Sequence, residues 1–204
     1  MLFDDSYKTI ENASEGIFRD KGSKFLAYAY PIRSEEEVKP IIAKLRTENP
    51  KANHFCYAYR LTPNRAVFRV NDDGEPSGTA GRPILNCLLS EDITNILMVV
   101  VRYFGGTLLG VPGLINAYKN ASIEAIKAST IVSKTVNDVY EAYFDYLQMN
   151  DVMKLSKEEN LQILAQQFDT SCILKFEVRK AQLNQVLSKF DKIEGVKLKY
   201  LNTV

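Results

Sequence analysis

The sequence predicts an α+β protein of two domains, with the boundary near Ser133-Lys134. Residues 134–204 read as β-α-β-β-α-β, the split-βαβ or ferredoxin-like order. Composition changes at the same place: no proline follows Pro112, and beyond position 134 the only glycine is Gly195. Upstream, strands and helices mix around Ile96–Val101, an unbroken aliphatic run of strand length that suits the centre of a sheet. The expected domains are 1–133 and 134–204. Their charges balance separately, with 16 basic and 15 acidic residues in the first and 10 of each in the second.

The first domain reads as follows. Lys24–Ile32 (KFLAYAYPI) is aromatic and aliphatic, and is predicted as a strand. Ser34-Glu-Glu-Glu37 has capping-box spacing, and Val38, Ile41, Ile42 and Leu45 follow at helical intervals. In a helix starting at Glu35, Pro40 removes the bond to the carbonyl of Glu36, so the helix kinks there or begins nearer the proline. His54–Leu61 and Ala66–Asn71 are two strands joined by a Thr-Pro-Asn turn. After the central strand Ile96–Arg102, the residues Leu114, Ala117, Tyr118, Ala121, Ala125 and Ala128 step along one helix face, small enough for close packing.

In the second domain Val136–Tyr146 alternates, with Tyr140, Ala142, Phe144 and Tyr146 on one face. Asn150 is placed to cap a helix bearing Val152, Met153 and Leu155. Leu161–Phe168 and Ser171–Arg179 are strands around an Asp169-Thr170 connection. Leu183, Val186, Leu187, Phe190 and Ile193 form a helical stripe that Gly195 ends. Val196, Leu198 and Tyr200 alternate in a final strand.

Charge and composition exclude several classes. The chain has 204 residues, 46% of them hydrophobic and 25% charged, with a net charge of +1. That rules out a disordered polyelectrolyte and a protein that grips nucleic acid by bulk charge. One histidine and three cysteines are too few for the usual Cys/His zinc site. The N-terminus lacks a secretory pattern, and no apolar run approaches the roughly 20 residues that span a bilayer. Cys56, Cys87 and Cys172 read as buried free thiols in a reducing compartment. A cytoplasmic protein without membrane partners is expected.

Seven of the ten glycines fall between Gly74 and Gly113. They lie in two segments, Asn71–Pro83 (NDDGEPSGTAGRP) and Arg102–Gly113 (RYFGGTLLGVPG), each after a predicted strand and each leading into a helix. Such glycines permit positive φ or close backbone approach, and amides at a helix start can hold an anion. Neither the phosphate-loop pattern G-x-x-x-x-G-K-[ST] nor the dinucleotide pattern G-x-G-x-x-G is present. The candidate anion- or RNA-binding residues are Thr79, Arg82, Arg102, Gly105, Gly106 and Lys119.

The run Asp72-Asp73-Gly74-Glu75-Pro76, Gly78-Thr79-Ala80-Gly81, Val99-Val100-Val101-Arg102-Tyr103-Phe104-Gly105-Gly106, Leu109-Gly110 and Gly113-Leu114 resembles the IMPACT family, in its bacterial YigZ-type form. The resemblance covers the whole chain. It implies an N-terminal domain with the left-handed βαβ fold of ribosomal protein S5 domain 2. It also implies a ferredoxin-like C-terminal domain similar to one in elongation factor G. Eukaryotic members act in translational control, by competing for an activator of a starvation-sensing kinase. They do so through protein–protein contact and carry an N-terminal domain missing here. The resemblance thus implies a link to translation and leaves the chemistry open.

The remaining candidates are weaker. Asp72, Asp73 and Glu75 suit a hard cation, but Asp-Asp-Gly is a turn sequence whose carboxylates bond their own backbone; alternatively they pair with Arg82 or Arg102 and brace the two loops. No metal or cofactor is expected. His54 and Cys56 share a strand face, which rarely gives the geometry of a catalytic pair. Arg60, Arg65 and Arg69, interleaved with Tyr57 and Tyr59, form a secondary basic patch of the kind single-stranded RNA uses. Lys175, Arg179, Lys197 and Lys199 form a basic stripe if their strand faces coincide. The expected function is a non-enzymatic regulator binding RNA, the ribosome or a translation factor through the glycine-rich surface. The alternative is an enzyme or binding protein for a small phosphorylated ligand, using the same loops. A pure protein-interaction module would instead show an apolar patch there.

Overall fold

The computed structural model describes residues 5–169 and 171–204; Met1–Asp4 of the N-terminal segment and Thr170 of the expected hairpin connection lie outside them. The fold is a two-domain α+β architecture. One compact unit comprises residues 7–134, and the other comprises 135–204 with Asp5 and Ser6.

The first unit is built on a five-stranded sheet in the order β2-β3-β6-β4-β5. Its strands are β2 (Ser14–Asp20), β3 (Ser23–Pro31), β4 (His54–Leu61), β5 (Val67–Asn71) and β6 (Ile96–Tyr103). All neighbours are antiparallel. β6 lies at the centre, and its seven residues Ile96–Arg102 are buried. It does not alternate because helices cover both faces of the sheet. α2 (Gly81–Ser90) and α3 (Gly110–Lys127) pack on the face carrying Phe25, Ala27, Ala29, Cys56, Ala58, Met98 and Val100. α1 (Val38–Glu48) covers the face of Phe55, Tyr59, Leu97, Val99 and Val101. β1 (Ser6–Ile10) and β7 (Ile131–Thr135) form a separate two-stranded ribbon.

Pro40 is accommodated because α1 begins at Val38, after a 3-10 turn at Glu35–Glu37. That start places the proline in the first helical turn, where its missing N–H costs nothing. The Glu37 carboxylate accepts from the backbone N–H groups of Arg33 and Ser34 at 2.7 and 3.0 Å, which closes the expected cap. Along α3 the stripe Leu114, Ala117, Tyr118, Ala121 and Ala125 is buried, whereas Ala128 is exposed beyond the helix end.

The second unit has the strand order β11-β8-β10-β9, from β8 (Asn137–Phe144), β9 (Gln162–Phe168), β10 (Cys172–Arg179) and β11 (Lys197–Thr203). α4 (Met149–Glu158) and α5 (Leu183–Phe190) complete the β-α-β-β-α-β order. One sheet face, with Ala142, Phe144, Cys172, Leu174, Phe176 and Val178, joins Val152, Leu155, Val186 and Phe190 in a single core. Asp145 rather than Asn150 opens the α4 segment, through a 3-10 turn at Tyr146–Gln148, and this leaves Tyr146 exposed instead of on the buried face. α5 ends at Phe190, four residues before the chain reaches Glu194; Gly195 (φ +91°) shapes the turn into β11.

The basic stripe is interrupted. Lys175 and Lys199 lie on one face, but Glu141 sits opposite both across β8. Arg179 is taken by Asp5, with Nε–Oδ2 at 2.6 Å and Nη2–Oδ1 at 2.9 Å, and this partner holds the Asp5 carboxyl below the usual carboxylate range.

Candidate functional site

The glycine-rich segments meet on the α2/α3 side of the central sheet. Antiparallel pairing sets Arg102 of β6 opposite His54 of β4 and Phe25 of β3, so all three share the face that α3 covers. The loop after β5 then brings Glu75 down onto them. Arg102 Nη1 donates to Glu75 Oε1 at 2.5 Å, and the Tyr118 hydroxyl of α3 donates to the same oxygen at 2.8 Å. The Arg102 and Glu75 side chains are only 6% and 4% exposed. The guanidinium also lies 5.5 Å from the ring centroids of both Phe25 and Phe104.

Arg102 is therefore not an anion-facing group. It is a buried cation neutralised within the fold, the loop-bracing alternative noted above. The three carboxylates diverge, because Asp73 and Gly74 both take positive φ (41° and 87°). Asp72 turns to the start of α2 and accepts from the N–H groups of Gly78, Ala80 and Gly81 at 2.8–3.0 Å. The anion that this helix start holds is thus the chain's own carboxylate. Asp73 accepts from Phe55 N–H at 2.6 Å and from Arg46 Nη2 at 2.9 Å. Among the described residues no cluster of potential metal ligands forms.

His54 and Cys56 are likewise engaged apart. His54 Nδ1 is 2.8 Å from the Asp73 carbonyl, which can only accept, so Nδ1 carries the proton. Its Nε2 lies 3.9 Å from Glu75 Oε1. The Cys56 thiol lies 3.0 Å from the Asp72 carbonyl and 3.3 Å from the Tyr118 hydroxyl. Burial, reinforced by the nearby carboxylates, raises the Cys56 thiol well above its ordinary pKa, and burial does the same to the Tyr118 phenol. Neither is prepared as a nucleophile or base. Burial also pushes Cys87 up to about 11. All three cysteines are buried and free, and thiolate is the reactive form. A disulfide-exchange reagent at pH 8 is therefore expected to label the native chain slowly and to titrate three thiols after unfolding; three fast native thiols would contradict this burial.

The other candidate residues fall as follows. Thr79 is buried and donates to the Pro76 carbonyl at 2.6 Å. Gly105 donates from its N–H to Ser23 Oγ at 3.2 Å, and Gly106 is exposed with φ +86°. Arg82 and Lys119 are exposed on α2 and α3. The secondary patch does not assemble. Arg60 Nη1 and Arg65 Nη2 both clamp Asp92, at 3.1 and 2.7 Å. Arg69 pairs in register with Tyr59, on the opposite face from Arg60. Tyr59 is buried in the α1-side core, not offered for stacking.

What the second segment and the start of α3 present is apolar. Phe104, Leu108, Val111 and Ile115 are 45%, 82%, 52% and 39% exposed. Val111, Ile115, Lys119, Ile123 and Lys127 recur every four residues, so they share one outer face of α3. With Pro83, Cys87 and neighbours on α2, the last four of them line a groove of about 520 Å³. The i, i+4 spacing is present in the sequence, beside the buried stripe of the same helix.

Residues 21–126 match the family model described as the Impact N-terminal domain. An IMPACT family member from Haemophilus influenzae is 35% identical over 74% of this chain and 74% of its own length. IMPACT family member YvyE from Bacillus subtilis is 32% identical over 84% of this chain and 78% of its own. Protein IMPACT from Mus musculus is 38% identical, but over 45% of this chain and 30% of its own length. Among solved structures, the crystal structure of a protein described as hypothetical superposes with a TM-score of 0.74 at 27% identity, covering 97% of this chain and 98% of the other. The chain belongs to the IMPACT family.

Proposed function

We propose that this chain is a non-enzymatic regulator linked to translation, and that it works by docking a protein partner, a translation factor, on the outer face of α2 and α3. The observation that carries this reading is the set of exposed apolar residues Phe104 and Leu108 in the loop before α3 and Val111 and Ile115 on the helix, Ile115 also lining the groove with Ile123 and Ile126. Contiguous exposed apolar surface of this kind marks interaction sites. The burial of Arg102 and the self-capping by Asp72 weigh against the same loops gripping a phosphate. Lys119 and Lys127 line the groove with one acid, Glu91, and the small positive excess favours an acidic partner surface. The link to translation rests on what the family resemblance implies for eukaryotic members.

The test is binding of labelled chain to purified translation factors, ribosomes and total RNA across a salt series. Binding to a protein factor that survives nuclease treatment, and that falls at least tenfold in Ile115→Asp without loss of thermal stability, supports the reading. Binding that disappears with nuclease and weakens steeply as salt rises is the signature of phosphate contacts, and would replace it with the RNA reading.

A further inference from the structure

Asp5 belongs to the second unit although it is 174 positions before Arg179 in the chain. It enters at the junction between β10 and α5. The Val136 N–H donates to the Asp5 carbonyl at 2.6 Å, and the Lys180 N–H donates to the Val136 carbonyl at 2.9 Å. Three distant stretches of chain are thus stitched together. The Asp5 carboxylate takes both Arg179 donors and also accepts from the Ala181 N–H. Ala181 lies in the 3-10 turn Lys180–Gln182, which leads directly into α5. Arg179, the residue that opens this turn, supplies no side-chain cap of its own; Asp5 supplies one from the far end of the chain. α5 in turn carries Val186 and Phe190 into the core of the unit. The carboxylate therefore holds the entry to that helix.

This ion pair differs from Arg102–Glu75, which is buried on both sides. The Arg179 side chain is 48% exposed and that of Asp5 is 11% exposed. When Asp5 leaves, water reaches the guanidinium, so opening the pair strands no buried charge. Arg179 is the charged side chain that faces the Asp5 carboxylate. The acids of the adjoining strands are engaged elsewhere: Asn137 Nδ2 donates to Glu177 at 3.1 Å, and the Thr203 hydroxyl donates to Asp138 at 2.5 Å. Just beyond Asp5, β1 stays paired with β7, and the Thr94 N–H donates to the Lys8 carbonyl at 2.9 Å. A released Asp5 is thus tethered near its site, and its return is intramolecular.

We propose that Asp5 is a releasable latch: protonation frees it from Arg179 and Ala181, and the start of α5 loosens while residues 7–134 stay folded. The direction follows from Arg179, which holds the carboxyl below the usual carboxylate range. A group depressed in the folded state stabilises above its unfolded pKa, about 4 for an aspartate, and loses that contribution as pH falls through the folded value. The latch is closed at neutral pH and opens in acid. Asp5→Asn is its neutral mimic at pH 7.

The test is amide hydrogen exchange on the full chain, expressed as protection relative to the intrinsic rate at each pH. At pH 7, Asp5→Asn is expected to lower protection at Val136 and residues 180–187 at least tenfold and to leave β6 unchanged. Acidifying the wild type to pH 3 is expected to lower protection at those residues more than elsewhere, an excess that Asp5→Asn lacks. Arg179→Met is expected to lower the same amides at pH 7. The double variant is expected to be no worse than the more affected single one, because both remove one interaction. Unchanged protection in Asp5→Asn, a loss spread evenly over residues 7–134, an acid-induced excess that persists in Asp5→Asn, or additive losses in the double variant would overturn the proposal.

Discussion

Glu75→Ala lowers the free energy of unfolding by about 3–5 kcal/mol, the cost of leaving a buried charge without its partner. Arg102 is 5% exposed, and its Nη1 has Glu75 Oε1 at 2.5 Å. Without the carboxylate, the guanidinium keeps its charge between two phenylalanine rings and has no counter-ion there. The Tyr118 hydroxyl loses its acceptor in the same step, and an unsatisfied buried donor adds its own penalty. A urea titration should show the midpoint falling with little change in slope, since the surface exposed on unfolding stays the same. The double variant Glu75→Leu with Arg102→Met recovers most of the loss, because replacing a buried pair by apolar groups of similar volume is often close to neutral. The double-mutant cycle then reports the coupling directly. A loss below about 1 kcal/mol in Glu75→Ala would mean a solvated pair. Arg102 would then be available to an external anion after all.

The same residues show which parts of this molecule a sequence can reveal. β6 was legible because seven residues buried on both faces admit no alternation, and the run Ile96–Val101 has none. The α5 stripe was legible because one face of a helix repeats at fixed intervals. Arg102 was not legible. Whether it faces water or Glu75 depends on strand register, which sets it opposite His54 and Phe25, and register is a property of three strands distant in sequence. The carboxylates failed for a related reason. Asp72, Asp73 and Glu75 look convergent when written in a line, but two successive positive φ values fan them out to α2, to β4 with Arg46, and to Arg102. The arginines at 60, 65 and 69 read as one patch, yet the period-two alternation of β4 and β5 sets Arg69 on the other face from Arg60, and Asp92 engages both Arg60 and Arg65. β2 was missed because Gly16 interrupts its pattern. That glycine exists for packing, since a Cβ there would stand 2.2 Å from the backbone nitrogen of Ala125 in α3.

Gly105→Ala is the second change with a large effect, and Gly106→Ala is its control. Both glycines were candidates for amides that hold an anion, but their surroundings differ. A Cβ at Gly105 would lie 2.0 Å from the carbonyl carbon of Gly22 and 2.2 Å from the nitrogen of Ser23. These are backbone atoms of the β2–β3 turn, so no side chain can rotate away, and the two turns must separate. Overpacking of this kind costs about 3 kcal/mol, and the hydrogen bond from Gly105 N–H to Ser23 Oγ stretches with it. A Cβ at Gly106 meets nothing within 4 Å. Its cost is only that of a left-handed backbone, about 1–2 kcal/mol. Thermal unfolding of the two variants should therefore separate them clearly, with Gly105→Ala the less stable. The contrast also bears on function. Gly105 seats the loop that presents Phe104 and Leu108, so moving it shifts those exposed side chains. If that surface docks a protein, Gly105→Ala weakens partner binding at temperatures where the variant is still folded, while Gly106→Ala weakens it much less. If instead both amides held an anion, the two substitutions would weaken binding alike, and the order of their stabilities would not predict the order of their affinities.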